Sequence, residues 1–264
     1  MNKGMFELPQ PCHWAWRVYA VWRRHQRVYF KFFLANMLPP FLEPLMFILA
    51  LGIGLAAYIG KIGEVSYTTF LAPGMIAATA MWSASFETTY GTFVRMEYEK
   101  IYEAILASPV SFVEMVLGEV LWVSSKASMF ALGVLLVVGC FGLVSSWWSL
   151  LVVPLGFLDG MIFALLGILV TSRVREMNNF NFYITGLITP MFFFSGTMFP
   201  LDQLPDLFKA ACLALPLTHL VALIRACCMG RLNPALLLHL AVCLAWCALL
   251  WPLVVRMLRK RIVV

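Results

Sequence analysis

Six long apolar runs constrain this 264-residue chain more than any other feature of its sequence. They lie near residues 33–58, 70–92, 113–139, 148–170, 180–198 and 235–256. A helix needs about 20 residues to cross a hydrocarbon core of about 30 Å, so each run is long enough to span a membrane. Only helices or closed barrels satisfy the backbone inside lipid, and the runs lack the alternation of barrel strands. We therefore predict an all-α integral membrane protein with six transmembrane helices.

Composition and charge agree with this class. Hydrophobic residues make up 62% of the chain and charged residues 12%, which is too apolar for a water-soluble surface. An even number of spans places both termini on one side, and the segments on that side hold fourteen of the 19 Lys and Arg residues. Because basic loops stay in the cytoplasm, we predict cytoplasmic termini. The net charge of +6 reflects this bias and does not indicate nucleic-acid binding.

Residues 1–32 form a tail before the first run. Apolar, aromatic and histidine residues recur there at helical spacing: Trp14, Val18, Val21, His25, Val28 and Phe32. Basic residues occupy the other face: Arg23, Arg24, Arg27 and Lys31. This pattern predicts an amphipathic helix that lies along the inner leaflet. The alternative is a basic anchor that only sets the topology.

The stretch 199–230, between the fifth and sixth runs, is too apolar for an ordinary outer loop. The part from Pro205 to Leu215 would reach only about 16 Å as a helix, about half the hydrocarbon core. Pro216 predicts a break and Gly230 a stop. We predict two short re-entrant helices that cover the outer mouth of a pathway; the alternative is a helical hairpin resting on the outer surface. The candidate residues of this element are Pro200, Pro205, Pro216 and His219.

The most polar passage inside the apolar part of the chain is 95–108, between the second and third runs. A single helix there would place Tyr98, Ile101, Tyr102, Ile105 and Leu106 on one face. Glu99 and Glu103 would meet on the other face, where like charges cost a few tenths of a kcal/mol. A basic partner would offset that cost. The alternative is a solvated linker.

Five charged residues lie within the runs and away from their terminal residues: Glu43, Glu87, Glu119, Lys126 and Asp159. Each costs on the order of 3 kcal/mol at the bilayer centre, so we expect them to face the protein interior or water. Glu119 and Lys126 are too far apart to pair simply, and we expect partners such as Glu43 or Asp159. Structural pairing and substrate contact both remain open. Glu87, near the inner end of its run, is a candidate for gating.

No motif indicates an enzyme. The seven cysteines are odd in number and include no C-x-x-C pair, which argues against a metal site or a disulfide framework. The chain also lacks a phosphate-binding G-x-x-x-x-G-K-[ST] loop, an H-E-x-x-H pair and a G-x-S-x-G elbow. We therefore expect no catalytic residue, metal or cofactor in this chain.

Several passages resemble the permease subunits of type-2 ABC exporters, in particular the nodulation protein J branch. They are "YTTFLAPGMIAATAM" from Tyr67, "FETTYGTFVRM" from Phe86, "YEAILASPVS" from Tyr102, "LGEVLWVSSKAS" from Leu117, "FNFYITGLITPMFFFSGTMFPLDQLP" from Phe180 and "LPLTHLVALIRA" from Leu215. The last two passages carry the more specific resemblance. The LAPG and LASPVS patterns within the other passages are shared more widely among these permeases.

The resemblance implies a six-span permease domain over 33–264 with an N-terminal interfacial helix, a cytoplasmic coupling helix at 95–108 and re-entrant helices at 199–230. It implies a homodimer bound to two ABC ATPase subunits, which hold the ATP and Mg. The expected activity is export of an amphiphilic lipo-oligosaccharide or glycolipid outward across a bacterial inner membrane; this branch exports lipo-chitooligosaccharides. The alternatives are an exporter of a hydrophobic drug or other small molecule, and a membrane scaffold that does not transport.

The resemblance also implies roles for individual residues. The ATPase would contact the coupling helix through Arg95, Glu97, Tyr98, Glu99, Lys100, Tyr102, Glu103, Ser108 and Pro109. The second and fifth spans would line the pathway with Met75, Met81, Trp82, Phe86, Met191, Phe192, Phe193 and Phe194. Such Met and aromatic stripes also serve as packing or lipid-facing surfaces, so that alternative stays open.

Overall fold

Helices make up nearly all of the regular structure. The computed structural model describes residues 13–31, 42, 45–62 and 64–262, without the side chains of 53 and 55–57. Glu43, the start of the tail and much of the start of the first run lie outside the described residues. Within the described ranges, the strands are Lys61–Ile62 and Val65–Ser66, which pair as a small antiparallel hairpin before the second run.

Eight α-helices carry the architecture. They are α1 (Trp14–Lys31), α2 (Tyr67–Phe86), α3 (Ile101–Leu106), α4 (Phe112–Cys140), α5 (Val152–Thr171), α6 (Asp206–Leu213), α7 (Pro216–Met229) and α8 (Leu236–Ile262). Wide π turns follow α2 at Glu87–Gly91 and Val94–Tyr98. Residues 45–59 and 180–194 are also helical and alternate α and π turns, and the second of these helices breaks at Ser195 and Gly196, whose backbone angles are not helical.

Three described helical segments are long and apolar enough to cross a membrane: Phe112–Cys140, Trp147–Thr171 and Leu236–Ile262. The second of these is α5 with the 3-10 turn that leads into it. The pair α6 and α7 would add a fourth if it counted as one span. The predicted all-α membrane class is confirmed. The count of six spans stays a prediction, because the first run is only partly described and the fifth is an interrupted helix.

The predicted interruption within 199–230 has a clear local cause. Helices α6 and α7 meet at 85°. Pro216 stands in the first turn of α7, where its missing N–H is not needed. Gly230 ends α7 with φ +68, a left-handed backbone that glycine adopts without steric cost. The break and the stop lie where the sequence predicts them, and placement in the membrane stays a prediction.

Small residues bring α4 and α5 into backbone contact. Gly156 and Gly160 lie one turn apart on α5 and face α4. A methyl group built at Gly160 would lie 2.6 Å from the Cβ of Ala127 and 2.8 Å from the Cα of Ser124. Because lipid offers no hydrophobic drive between helices, close packing of small residues holds such pairs together. This contact forms the centre of the bundle.

Helix α1 packs along α4. Its buried residues are Val18, Val21, His25 and Tyr29. The indole nitrogen of Trp22 donates to Ser125 Oγ at 3.1 Å, and Arg17 Nη2 donates to Glu114 Oε1 at 2.7 Å. The buried face is rotated from the predicted one: Trp14 and Val28 are exposed, Tyr29 is buried instead, and Phe32 lies outside the described residues.

We expect Gly160→Ala to destabilise the protein, because the added methyl group must push α4 and α5 apart. Overpacking of this kind costs about 1–3 kcal/mol of unfolding free energy. The matched control is Gly139→Ala on α4, where nothing lies within 4 Å of the added methyl group. The control should keep its stability or gain up to about 1 kcal/mol from helix propensity. Thermal unfolding in detergent measures both, and equal midpoints would contradict the close contact.

Candidate functional site

A cluster of four buried charges lies at the predicted cytoplasmic end of the bundle. Arg95 is at its centre: Nη1 is 2.6 Å from Glu87 Oε1, and Nη2 is 2.9 Å from Glu119 Oε1. Lys126 Nζ is 2.7 Å from Glu87 Oε2. We call Glu87, Arg95, Glu119 and Lys126 the charge cluster. Its two acids and two bases balance in number, so each acid lies beside a base in this largely buried region.

Neutral donors complete the cluster around Glu119, whose side chain is 1% exposed. Thr92 Oγ1 donates to Glu119 Oε1 at 2.6 Å, and the Tyr102 hydroxyl donates to Oε2 of the same carboxylate. Arg95 Nη2 also contacts Thr92 Oγ1 at 3.2 Å. Burial, and then the negative charge of Glu119, raise the pKa of Tyr102 well above its usual value, so the hydroxyl stays a donor. Because hydrogen bonds from neutral groups complete the Arg95–Glu119 ion pair, its two side chains are held rigidly.

The local chain path explains why Arg95 points inward. The wide turns at Glu87–Gly91 and Val94–Tyr98 change the helical register between Glu87 and Arg95. Gly91 lies beside their contact: a methyl group there would be 3.2 Å from both Arg95 Nη1 and Glu87 Oε1. The absence of a side chain leaves room for the ion pair. The sequence analysis assumed a regular α-helix here, and a regular α-helix would not have this change of register.

A second junction joins the same region to α8. Arg261 Nη2 donates to Glu97 Oε1 at 2.7 Å. Its other terminal nitrogen donates to the carbonyl oxygens of Thr171 and Val174, at the end of α5. The segment 94–98 is thereby attached to α5 and α8, while the charge cluster attaches it to α4.

Residues 95–108 do not form the single helix that the sequence predicts. Lys100 adopts a left-handed backbone, with φ +54, between the π turn and α3. The predicted common face is therefore wrong: Tyr98 is 69% exposed and Tyr102 is 1% exposed. Of the predicted coupling residues, Arg95, Glu97 and Tyr102 make internal contacts. The others are exposed: Tyr98, Glu99, Lys100, Glu103, Ser108 and Pro109.

A cleft of about 470 Å³ opens between α1 and the charge cluster. Glu87, Arg95 and Lys126 line it, together with Arg24 and His25 of α1. Burial, and then the positive charge of Arg95, lower the pKa of His25 to about 4. The His25 ring is therefore neutral at physiological pH. The cleft presents both acidic and basic groups to whatever enters it.

The predicted pathway residues divide into two groups. Met75, Met81, Met191 and Phe192 are buried within the chain. Phe86, Phe193 and Phe194 are exposed, and Trp82 is half-buried. Trp82 stacks on Phe86 with ring centroids 5.5 Å apart, and Phe86 stacks on Tyr90 at 5.9 Å. Trp82 and Phe86 lie on α2, and Phe193 and Phe194 lie in the fifth run beside the buried Phe192, whose ring centroid is 5.2 Å from that of Phe193. We call these four exposed or half-buried rings the aromatic face.

Asp159, one of the two expected partners of the in-span charges, pairs with neither Glu119 nor Lys126. Glu119 pairs with Arg95, and Lys126 pairs with Glu87. Asp159 is fully buried, and its carboxylate has no hydrogen-bond partner among the described residues. Glu43 lies outside them. The sequence argument missed Arg95 as the partner of Glu119 because it placed Arg95 on the surface that contacts the ATPase, and it treated Glu87 as a gating residue and not as the partner of Lys126.

Arg225 is a half-buried residue that the sequence analysis does not single out. Its Nη2 donates to the carbonyl oxygens of Gly196 at 2.8 Å and Phe70 at 3.3 Å. Its guanidinium carbon lies 3.9 Å from the centre of the Phe70 ring. Arg225 thus joins α7 to the start of α2 and to the break at Gly196. A lone charge in the apolar stretch "LVALIRACC" was the available signal.

The structure also places three other predicted residues of the stretch 199–230, namely Pro200, Pro205 and His219. Pro200 precedes the 3-10 turn Leu201–Gln203, and Pro205 precedes α6. His219 Nδ1 lies 2.7 Å from His239 Nδ1, and its Nε2 lies 2.8 Å from the Leu213 carbonyl oxygen. Within the described ranges, no three His, Cys, Asp or Glu side chains are grouped as a metal ion would require.

The fold and this site define an α-helical membrane protein whose charged junction lies at one end of its spans. A family model described as "ABC-2 type transporter" matches residues 17–229. The chain belongs to the ABC-2 type transporter family, as the resemblance implies. It is therefore a membrane permease of a transporter whose ATPase is a separate partner.

Relatives match over most of the chain. Nodulation protein J of Rhizobium leguminosarum bv. trifolii is 43% identical over 80% of this chain and 81% of that protein. Nodulation protein J of Rhizobium meliloti strain 1021 is 38% identical over 94% of each chain. The inner membrane transport permease YadH of Escherichia coli K12 is 20% identical over 77% of this chain and 79% of that protein.

We expect Arg95→Gln to destabilise the protein strongly, because it leaves Glu119 buried without its positive partner. Breaking a buried ion pair from one side costs about 3–5 kcal/mol. The control is Lys100→Gln, five residues away, whose pair with Glu103 is largely exposed. Loss of that surface pair should cost at most about 1 kcal/mol. Thermal unfolding of the two variants in detergent makes the comparison, and similar midpoints would contradict a buried cluster.

Proposed function

We propose that this chain is the permease of an ATP-driven exporter that moves an amphiphilic lipo-oligosaccharide or glycolipid outward across a bacterial inner membrane. Similarity to several nodulation J proteins over most of the chain carries this proposal. Both termini are cytoplasmic in this arrangement, which the basic residues of α1 and of the end of α8 support. The tail 1–32 holds the interfacial helix, and 33–264 form the six-span permease domain.

In the proposed assembly, two copies of the chain bind two ATPase subunits, which hold ATP and Mg. The exposed residues of 95–108, with Pro109, form the docking surface. Glu99 and Glu103 attract basic residues of the ATPase, and Tyr98 supplies apolar contact. The side chains of Arg95 and Tyr102 lie beneath this surface and support it without contacting the ATPase.

The charge cluster transmits the movement of the docking surface. Because Arg95 contacts Glu87 and Glu119 at once, a displacement of 94–98 pulls on both α4 and the end of α2. Glu87 also holds Lys126, so exchanging one of its partners for water would loosen the inner end of the pathway. This gives Glu87 its gating role. The Arg261 junction carries the same movement to α8.

The aromatic face lines the pathway. Trp82, Phe86, Phe193 and Phe194 offer a smooth apolar surface along which an acyl chain can slide, and the buried Met75, Met81, Met191 and Phe192 hold it in place. Facing copies of this surface in the homodimer would enclose the chain of the substrate. Helices α6 and α7, with Pro200, Pro205, Pro216 and His219, cover the outer mouth as re-entrant helices.

Reversing both acidic charges of the docking surface tests the ATPase contact. Glu99→Lys with Glu103→Lys replaces attraction by repulsion, and we expect binding to the ATPase to weaken roughly tenfold or more. The control, Glu64→Lys with Asp202→Lys, makes the same change in net charge at exposed positions of the opposite end. Affinity is measured by pull-down from detergent at rising salt, which should also weaken the wild-type complex. Equal binding by the two double variants would remove the acidic residues from the docking surface.

Reconstitution with the ATPase tests the transport function itself. We expect lipo-oligosaccharide to raise the ATPase rate in proteoliposomes, and a strain lacking the chain to retain that lipid in its inner membrane by mass spectrometry. If only hydrophobic drugs raised the ATPase rate, the substrate class would be hydrophobic drugs and not lipo-oligosaccharides. An ATPase rate that no amphiphile changes, together with normal lipid distribution in the deletion strain, would indicate a scaffold.

A further inference from the structure

A second basic cleft lies apart from the charge cluster, between the ends of α5 and α8. Its volume is about 380 Å³, and Ser172, Arg173, Arg175, Met257, Lys260 and Arg261 line it. Among the described residues, no carboxylate forms an ion pair with Arg173, Arg175 or Lys260. Three cations therefore face one opening without a protein counter-charge, which suits an anionic group.

Arg261 reduces the repulsion that backbone carbonyl groups beside the cleft would exert on an anion. The carbonyl ends of two helices would repel negative charge. Arg261 offsets this repulsion by donating to the carbonyl oxygens of Thr171 and Val174, and Glu97 balances its own charge. The other cations, Arg173, Arg175 and Lys260, line the opening, and Arg173 Nη2 also contacts Met257 Sδ at 3.5 Å.

An apolar stripe on α8 leads directly into the cleft. Leu249, Leu253 and Met257 are spaced four residues apart, and Lys260 follows on the same face. Leu249 is 59% exposed and Leu253 is 40% exposed. Because α8 is long and apolar enough to span a membrane, this stripe lies at the depth of lipid chains. The surface is thus apolar along the span and basic at its end.

We propose that this surface binds an anionic phospholipid, with the phosphate among Arg173, Arg175 and Lys260 and one acyl chain along Leu249, Leu253 and Met257. Charge complementarity at the cleft and continuity with the exposed apolar stripe both favour a lipid over a soluble anion or an acidic protein surface. The bound lipid would join the end of α5 to α8 and support the Arg261 junction. The site does not depend on which cargo the permease carries.

Lys260 and Arg259 provide a matched pair of variants, because they are neighbours of equal charge and both are exposed. Lys260 lines the cleft and Arg259 does not. Native mass spectrometry of the detergent-solubilised full chain measures retention of phosphatidylglycerol, with phosphatidylcholine and inorganic phosphate as comparison ligands. Size-exclusion chromatography checks that each variant remains monodisperse.

We expect Lys260→Gln to weaken phosphatidylglycerol binding roughly fivefold, and Lys260→Gln with Arg173→Gln roughly twentyfold. Arg259→Gln should bind like the wild type, and Lys260→Arg should retain binding. Equal losses in Lys260→Gln and Arg259→Gln, or equal binding of phosphatidylcholine, would overturn the proposal. Displacement of the lipid by an equal concentration of inorganic phosphate would reassign the cleft to a soluble anion. If Lys260→Gln lost ATPase binding but still retained phosphatidylglycerol, the cleft would be a contact site for the ATPase and not a lipid site.

Discussion

A charge taken out of water must find an opposite charge, and the charge cluster is where this chain meets that requirement. Arg95 satisfies two carboxylates on different segments, and Lys126 satisfies the remaining oxygen of one of them. The position of the 94–106 segment follows from these contacts, and so do the exposed residues it presents. The proposed ATPase surface is therefore a consequence of an interior arrangement. The polar passage therefore serves two purposes: two of its five charges, Arg95 and Glu97, make internal contacts, and the other three are exposed.

Sequence reasoning predicted the features that depend on local chemistry. The apolar length of the runs predicted membrane helices, and the prolines and Gly230 predicted the break and the stop in 199–230. The amphipathic pattern of α1 predicted a helix with one apolar face, and that face packs on α4 with Tyr29 buried in place of Val28. The family could also be recognised, because its motifs lie in continuous passages. Features of this kind need no knowledge of which helix packs against which.

The site was less predictable because its contacts join distant positions. Arg95 reaches Glu119 only because π turns change the helical register and Gly91 leaves space, and neither effect has a clear signal in one sequence. The left-handed Lys100 likewise separates Tyr98 from Tyr102, which a regular helix would align. Arg261 looked like one of several terminal basic residues until its carbonyl contacts distinguished it. Partner choice inside a bundle is a property of the assembled structure.

The position of the charge cluster along the chain has a consequence for biogenesis. All four charges fall within residues 87–126, a continuous stretch that begins at the end of α2 and enters α4. A nascent chain can therefore neutralise them within one helical hairpin, before the later spans have been synthesised. Two acids and a lysine that would resist entry into lipid one at a time can enter as a neutral unit with Arg95. Insertion of this hairpin as a pair follows from the same contacts that hold the finished structure.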